Sequence, residues 1–105
     1  MDIKHERCGN LAEREGVTLG YDYFCPTCDE DLCLTECNFK VGSTYKSFEQ
    51  LVEYVEQNSE IFVEQLEDNT FVGNWRGERS SLNFEFIADC YVYCHEFIDN
   101  GFKSL

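Results

Sequence analysis

Apolar and polar positions follow a different period in successive parts of this chain, and each change of period predicts an element. The run Val17-Thr-Leu-Gly-Tyr-Asp-Tyr-Phe24 reads as a strand or hairpin leading into Cys25, with Gly16 and Gly20 as turn or bulge positions. Over residues 47–67 the period lengthens to that of a helix. Ser47 with Gln50 makes a capping-box start, and Phe48, Leu51, Val52, Val55, Phe62 and Leu66 form one apolar stripe. Asn58-Ser59 is the point at which this helix could divide in two. Residues 70–88 read as a hairpin, with strands Thr70–Trp75 and Leu82–Phe86 joined by Arg76-Gly-Glu-Arg79.

The last segment carries two periods at once. Every even position from Leu82 to Cys94 is apolar, which is strand alternation, yet Glu85, Asp89, His95, Glu96 and Asp99 share one helical face. A strand that long exceeds the usual ~5–6 residues, and Asn100-Gly101 is a good helix stop, so a helix from about Phe84 to Asp99 is predicted. The expected architecture is α+β. A small zinc-stapled N-terminal lobe at residues 1–40 packs on an acidic unit, residues 41–105, made of a helix, a β-hairpin and a C-terminal helix.

Composition narrows the function. Eight basic against 21 acidic residues give a formal charge of −13. Such a chain lacks the phosphate-neutralising attraction behind direct nucleic-acid binding, and anionic lipid repels it. No stretch approaches the ~18 apolar residues of a membrane span. The opening Met-Asp-Ile-Lys-His-Glu-Arg-Cys has no apolar core of a signal peptide, so a cytoplasmic protein with reduced thiols is expected.

Seven cysteines in 105 residues need a reason. His5-Glu-Arg-Cys8-Gly9 and Cys25-Pro-Thr-Cys28 are both ligand-x-x-ligand turns, and two such turns joined by a short hairpin make a tetrahedral zinc site. Over residues 5–28 this pattern resembles the paired knuckles of a zinc ribbon, although Asp29 stands where a Gly is more usual. One zinc ion on His5, Cys8, Cys25 and Cys28 is therefore expected. Cys33, Cys37, Cys90 and Cys94 could make a second site, and Cys25, Cys28, Cys33 and Cys37 could also close one alone. Against these stands the reading of Cys90 and Cys94 as small buried hydrophobes.

Catalysis finds little support. Four protein ligands leave a zinc ion no open position, and the His-x-Glu with Pro-Cys-x-x-Cys signature of nucleobase deaminases is absent. Cys25-Pro-Thr-Cys28 is similar to a glutaredoxin-type active site, but that resemblance implies a second, cis proline, and Pro26 is the only proline in the chain. A thiol oxidoreductase stays as an alternative.

The remaining signal is acidic. Glu49, Glu53, Glu56, Glu60, Glu64, Glu67 and Asp68 fall in a stretch without Lys or Arg. On one continuous helix the six glutamates would occupy an arc of about 80°. Like charges at i, i+4 cost a few tenths of a kcal/mol each, so an unrelieved row calls for a partner. These seven residues are the expected binding face, and a basic protein or nucleic-acid-binding complex is the expected partner. The function expected is non-enzymatic binding, in its sharpest form inhibition by nucleic-acid mimicry, by likeness of class to anti-restriction and anti-CRISPR proteins. A zinc-ribbon adaptor in a transcription or translation complex is the other alternative.

Overall fold

A computed structural model describes residues 2–18 and 20–102. The chain divides into two compact units, Met1–Glu49 and Gln50–Leu105. Among the described residues the fold is α+β, with three small antiparallel sheets and two α-helices.

The first unit holds two three-stranded sheets. In one, β1 (Ile3–His5), β5 (Cys37–Val41) and β6 (Thr44–Ser47) lie in that order. In the other, β2 (Glu13–Thr18), β3 (Tyr21–Cys25) and β4 (Glu30–Leu32) follow chain order. Period-two burial is plain: Ile3 and His5 point inward on β1, Tyr23 and Cys25 on β3, and Cys37, Phe39 and Val41 on β5. Tyr23 meets Phe39 edge to face at 5.5 Å, so the two sheets share one core. The expected hairpin into Cys25 is β2–β3. Gly20 turns its corner with φ +82°, and the ladder slips between Arg14 and Thr18, where Gly16 has φ +70°. Leu19 lies outside the described residues.

Helix α1 (Phe48–Glu56) begins directly after Ser47, two residues before the second unit, and ends eleven residues sooner than the predicted helix. Asn58 accounts for the stop. Gln57 and Asn58 bond back to Glu53 and Val55, and the Asn58 side chain then accepts the Glu60 N–H at 3.0 Å, an Asx turn that leads the chain out of the helix. The β-branched and aromatic run Ile61-Phe-Val63 continues as β7 (Ile61–Gln65), which pairs with β8 (Phe71–Trp75). The row of six glutamates on one helix is thereby broken. Only Glu49, Glu53 and Glu56 share a helix, Glu64 lies on β7, and Glu67 and Asp68 sit in the β7–β8 turn.

The second strand of the predicted hairpin is also displaced. Arg76-Gly77 alone makes the turn, β9 is the two residues Glu78–Arg79, and Phe84 adds one further bridge to Phe71. The C-terminal helix, α2 (Ile87–Asp99), starts three residues later than predicted, because Phe84 is held in that bridge. Val55, Ile61, Cys90 and Cys94 form the buried centre of this unit, ringed by Phe71, Trp75, Phe84 and Phe97.

Helix α2 comes so close to β8 that a Cβ on Gly73 would lie 3.0 Å from Cys94 Sγ. Gly73→Ala is expected to destabilise the protein by about 1–3 kcal/mol in urea unfolding. Gly73→Ala combined with Cys94→Ala should cost less than the sum of the single changes. Additive losses would show that the close approach is not the cause.

Candidate metal centre

His5 closes strand β1, and the chain then turns back at once. Its backbone N–H donates to the Asn10 carbonyl at 2.9 Å, and its carbonyl accepts the Gly9 N–H at 2.8 Å. Gly9 takes φ +76°, the conformation that lets this turn bring Cys8 beside His5. Cys25 closes β3 in the same manner. Residues 26–29 form the turn to β4, and Asp29, where the sequence pattern wanted Gly, adopts φ +52°.

The two turns face each other. Cys8 Sγ is 3.3 Å from His5 Nδ1 and 3.7 Å from Cys25 Sγ, and the Cys28 backbone N–H donates to Cys25 Sγ at 3.4 Å. Donor atoms of His5, Cys8, Cys25 and Cys28 all lie within 4.8 Å of one another, a group that could hold a metal ion. His5 and Cys25 are buried beneath it and Cys28 is exposed, so the cluster sits at the edge of the core with one side toward solvent.

Local electrostatics favour ligation. The backbone N–H of Asn10 leads in bringing the Cys8 thiol down to about 6, so one thiolate forms readily at neutral pH. Cys28, though it opens to solvent, is pushed up to about 11, first by partial desolvation at the rim of the cluster and then by its thiol neighbours Cys8 and Cys25. A divalent cation among these sulfurs reverses this repulsion. On the far side of His5, Nε2 faces Glu30 Oε1 at 3.6 Å, and Arg7 binds that same oxygen at 2.6 Å.

The other thiols fall outside that group, although Cys37 stands opposite His5 across β1 and β5 and lies near enough to Cys25 for its charge to act there. Cys33 donates its S–H to Glu36 at 3.0 Å, within a single 3-10 turn at Leu34–Glu36. Burial pushes the Cys37 thiol up to about 12. Cys90 and Cys94 lie one turn apart on α2, both buried, and their mutual hydrogen bond with burial raises Cys90. Among the described residues, one further group of three or more donors comes within 4.8 Å, His5, Glu30 and Glu36, and neither group includes Cys33, Cys37, Cys90 or Cys94. Iodoacetamide at pH 8 is expected to leave Cys37 and Cys90 unmodified in folded protein and to label them after denaturation. Rapid labelling of either in the native state, read by peptide mass, would contradict their burial.

The acidic residues also fall into two classes. Arg76 pairs with Glu60 at 3.3 Å, and Arg79 with Glu64 at 2.7 Å, which holds the Glu64 carboxyl below its ordinary range. Asp68 is turned inward on its own loop by the Thr70 hydroxyl and N–H. Glu49, Glu53 and Glu56 are exposed, and among the described residues no cation pairs with them. At about 100° per residue they occupy roughly 60° of α1, opposite the buried Leu51 and Val55. Tyr54, on the inward side, stacks on His95 at 3.8 Å, and both hydrogen-bond Asp99, which ties α1 to α2.

No helix among the described residues is long and apolar enough to cross a membrane. No protein-family model matches the chain, and no curated protein or solved structure matches it either.

Proposed function

We propose that this is a non-enzymatic, zinc-stabilised binding protein that presents an acidic helix to a basic partner. The observation that carries the metal part is the four-donor cluster of His5, Cys8, Cys25 and Cys28. Zinc–sulfur bonds of about 2.3 Å at tetrahedral angles put sulfurs about 3.8 Å apart, and a sulfur and an imidazole nitrogen about 3.5 Å apart. The distances of 3.7 and 3.3 Å match this spacing. Three thiols and an imidazole suit zinc better than a hard cation, and four protein ligands complete its shell, as in structural rather than catalytic centres.

The binding part rests on Glu49, Glu53 and Glu56. They are the acidic residues of the former row that keep helical spacing and lack a neutralising arginine. Glu60 and Glu64 contribute less, because their charge is offset locally, and Glu67 and Asp68 lie on a separate turn. A partner surface built to hold phosphates is the natural complement of three carboxylates one turn apart, and competition with nucleic acid for that surface is the inhibitory form of this reading. Cytoplasmic residence, where thiols stay reduced, completes the proposal.

Binding of the zinc-loaded protein to a defined duplex-DNA-binding protein, followed at rising salt with and without duplex DNA, tests the reading. Affinity that falls with salt and is displaced by DNA supports it. Affinity indifferent to both would transfer attention from the acidic helix to the metal-bearing unit.

A further inference from the structure

We infer that Glu30, held in place by Arg7, is the positioning residue that fixes the tautomer of His5 at the metal centre. The inference rests on the reading of His5, Cys8, Cys25 and Cys28 as that centre. His5 is only 1% exposed, so both ring nitrogens must be satisfied inside the protein. Nδ1 lies among the sulfurs, 3.3 Å from Cys8 Sγ. If Nδ1 gives its lone pair to the ion, the ring proton sits on Nε2 and needs an acceptor.

Two carboxylates are near enough, Glu30 and Glu36. Glu36 is already engaged, since one oxygen accepts both the Cys33 N–H at 3.1 Å and the Cys33 thiol at 3.0 Å. Glu30 is the carboxylate in ion-pair range of Nε2, at 3.6 Å. Its place is set by the ladder, because Glu30 stands directly opposite Cys25 across β3 and β4, so one register positions a ligand and the group that orients another.

Arg7 explains why a carboxylate is tolerated there. Three thiolates around a divalent ion leave the centre with net negative charge, in a chain that already carries −13. A further carboxylate beside it would be repelled, and the Arg7 guanidinium, 2.6 Å from Glu30, offsets that charge at the point of contact. Arg7 lies between His5 and Cys8, so the turn that supplies two ligands also supplies the counter-charge.

The test compares the full chain with Glu30→Ala and Glu30→Gln. Zinc affinity is measured by competition with a chromogenic chelator, and the His5 ring nitrogens are read by two-bond nitrogen–proton correlation spectra of the zinc-loaded proteins. The expected results are one zinc per chain, metal on His5 Nδ1 and a proton on Nε2. Glu30→Ala should weaken zinc about 10–100-fold. Glu30→Gln, which keeps an acceptor oxygen, should recover most of that loss and retain the wild-type tautomer. Unchanged affinity and spectra in Glu30→Ala, with zinc bound normally to the unaltered chain, would overturn the positioning role alone. So would metal on Nε2, or a second zinc lost in Glu30→Ala, which would make Glu30 a ligand. Absence of zinc from the unaltered chain would defeat the centre itself and this inference with it.

Discussion

Removing zinc with a chelator is expected to unfold the first unit while the helices of the second remain. The apolar core of Met1–Glu49 is small: among the described residues Ile3, Ala12, Tyr23, Leu32, Phe39 and Val41 are its buried members besides cysteine. A unit of that size seldom folds on hydrophobic burial alone. Structural zinc contributes on the order of 10 kcal/mol of apparent binding free energy at neutral pH, all of it available to folding when the unfolded chain has no preformed site. Chelation should therefore collapse the amide dispersion of residues 2–47. The α-helical signal of α1 and α2 should persist, and readdition of zinc should restore the spectrum. Cys25→Ser should reproduce the chelated state, because Cys25 is buried within hydrogen-bond range of Cys8 at the centre of the donor group. A first unit that keeps its dispersion and melting midpoint without metal would remove the stabilising role assigned to the cluster.

The second large effect concerns charge placement. Reversing Glu49, Glu53 and Glu56 to Lys together is expected to reduce affinity for a basic, nucleic-acid-binding partner at least a hundredfold at low salt. Metal content and fold should be untouched, since all three carboxylates are exposed and unpaired with cations among the described residues. A matched variant, Glu13→Lys, Glu15→Lys and Asp22→Lys, changes the net charge by the same amount at exposed positions in the first unit. If binding depends on the face of α1, the matched variant loses only a few-fold, through weakened long-range attraction. Equal losses in both would reduce the acidic face to a net-charge effect.

What the sequence made legible follows from how local each signal is. The two ligand turns were readable because a metal site needs residue types that few other roles select, at a spacing set by the turn itself. The start of α1 and its stripe Phe48, Leu51, Val52 and Val55 were readable for the same local reason. The stripe misled beyond Asn58. Phe62 and Leu66 stand four apart as a helix would place them, but Phe62 is 52% exposed on a strand, and its spacing from Leu66 is coincidental. Asp68-Asn69, a turn pair in which Asn69 takes φ +68°, was the available sign of the β7–β8 hairpin. Likewise Gly42-Ser43 between β5 and β6 is a two-residue hairpin loop, with Gly42 at φ +61°, and the Gly-Ser pair was its local sign.

The alternation from Leu82 onward combined two elements. Phe84 bridges to Phe71 as a strand residue would, whereas Ala88, Cys90 and Cys94 are buried on a helix. The partners of Glu60 and Glu64 depended on a hairpin that brings residues fifteen and sixteen apart together, and no local pattern encodes that. The same limit applies to Glu30. Its relation to His5 exists only once the β3–β4 register places it opposite Cys25.

Four side chains from two facing turns are proposed to hold one zinc ion. Native mass spectrometry of the reduced chain, purified with zinc and exchanged into volatile buffer, measures it most directly. One bound zinc per chain is expected, lost in His5→Ala and in Cys25→Ser and retained in Cys90→Ala. An unaltered chain that carries no zinc under these conditions would contradict it.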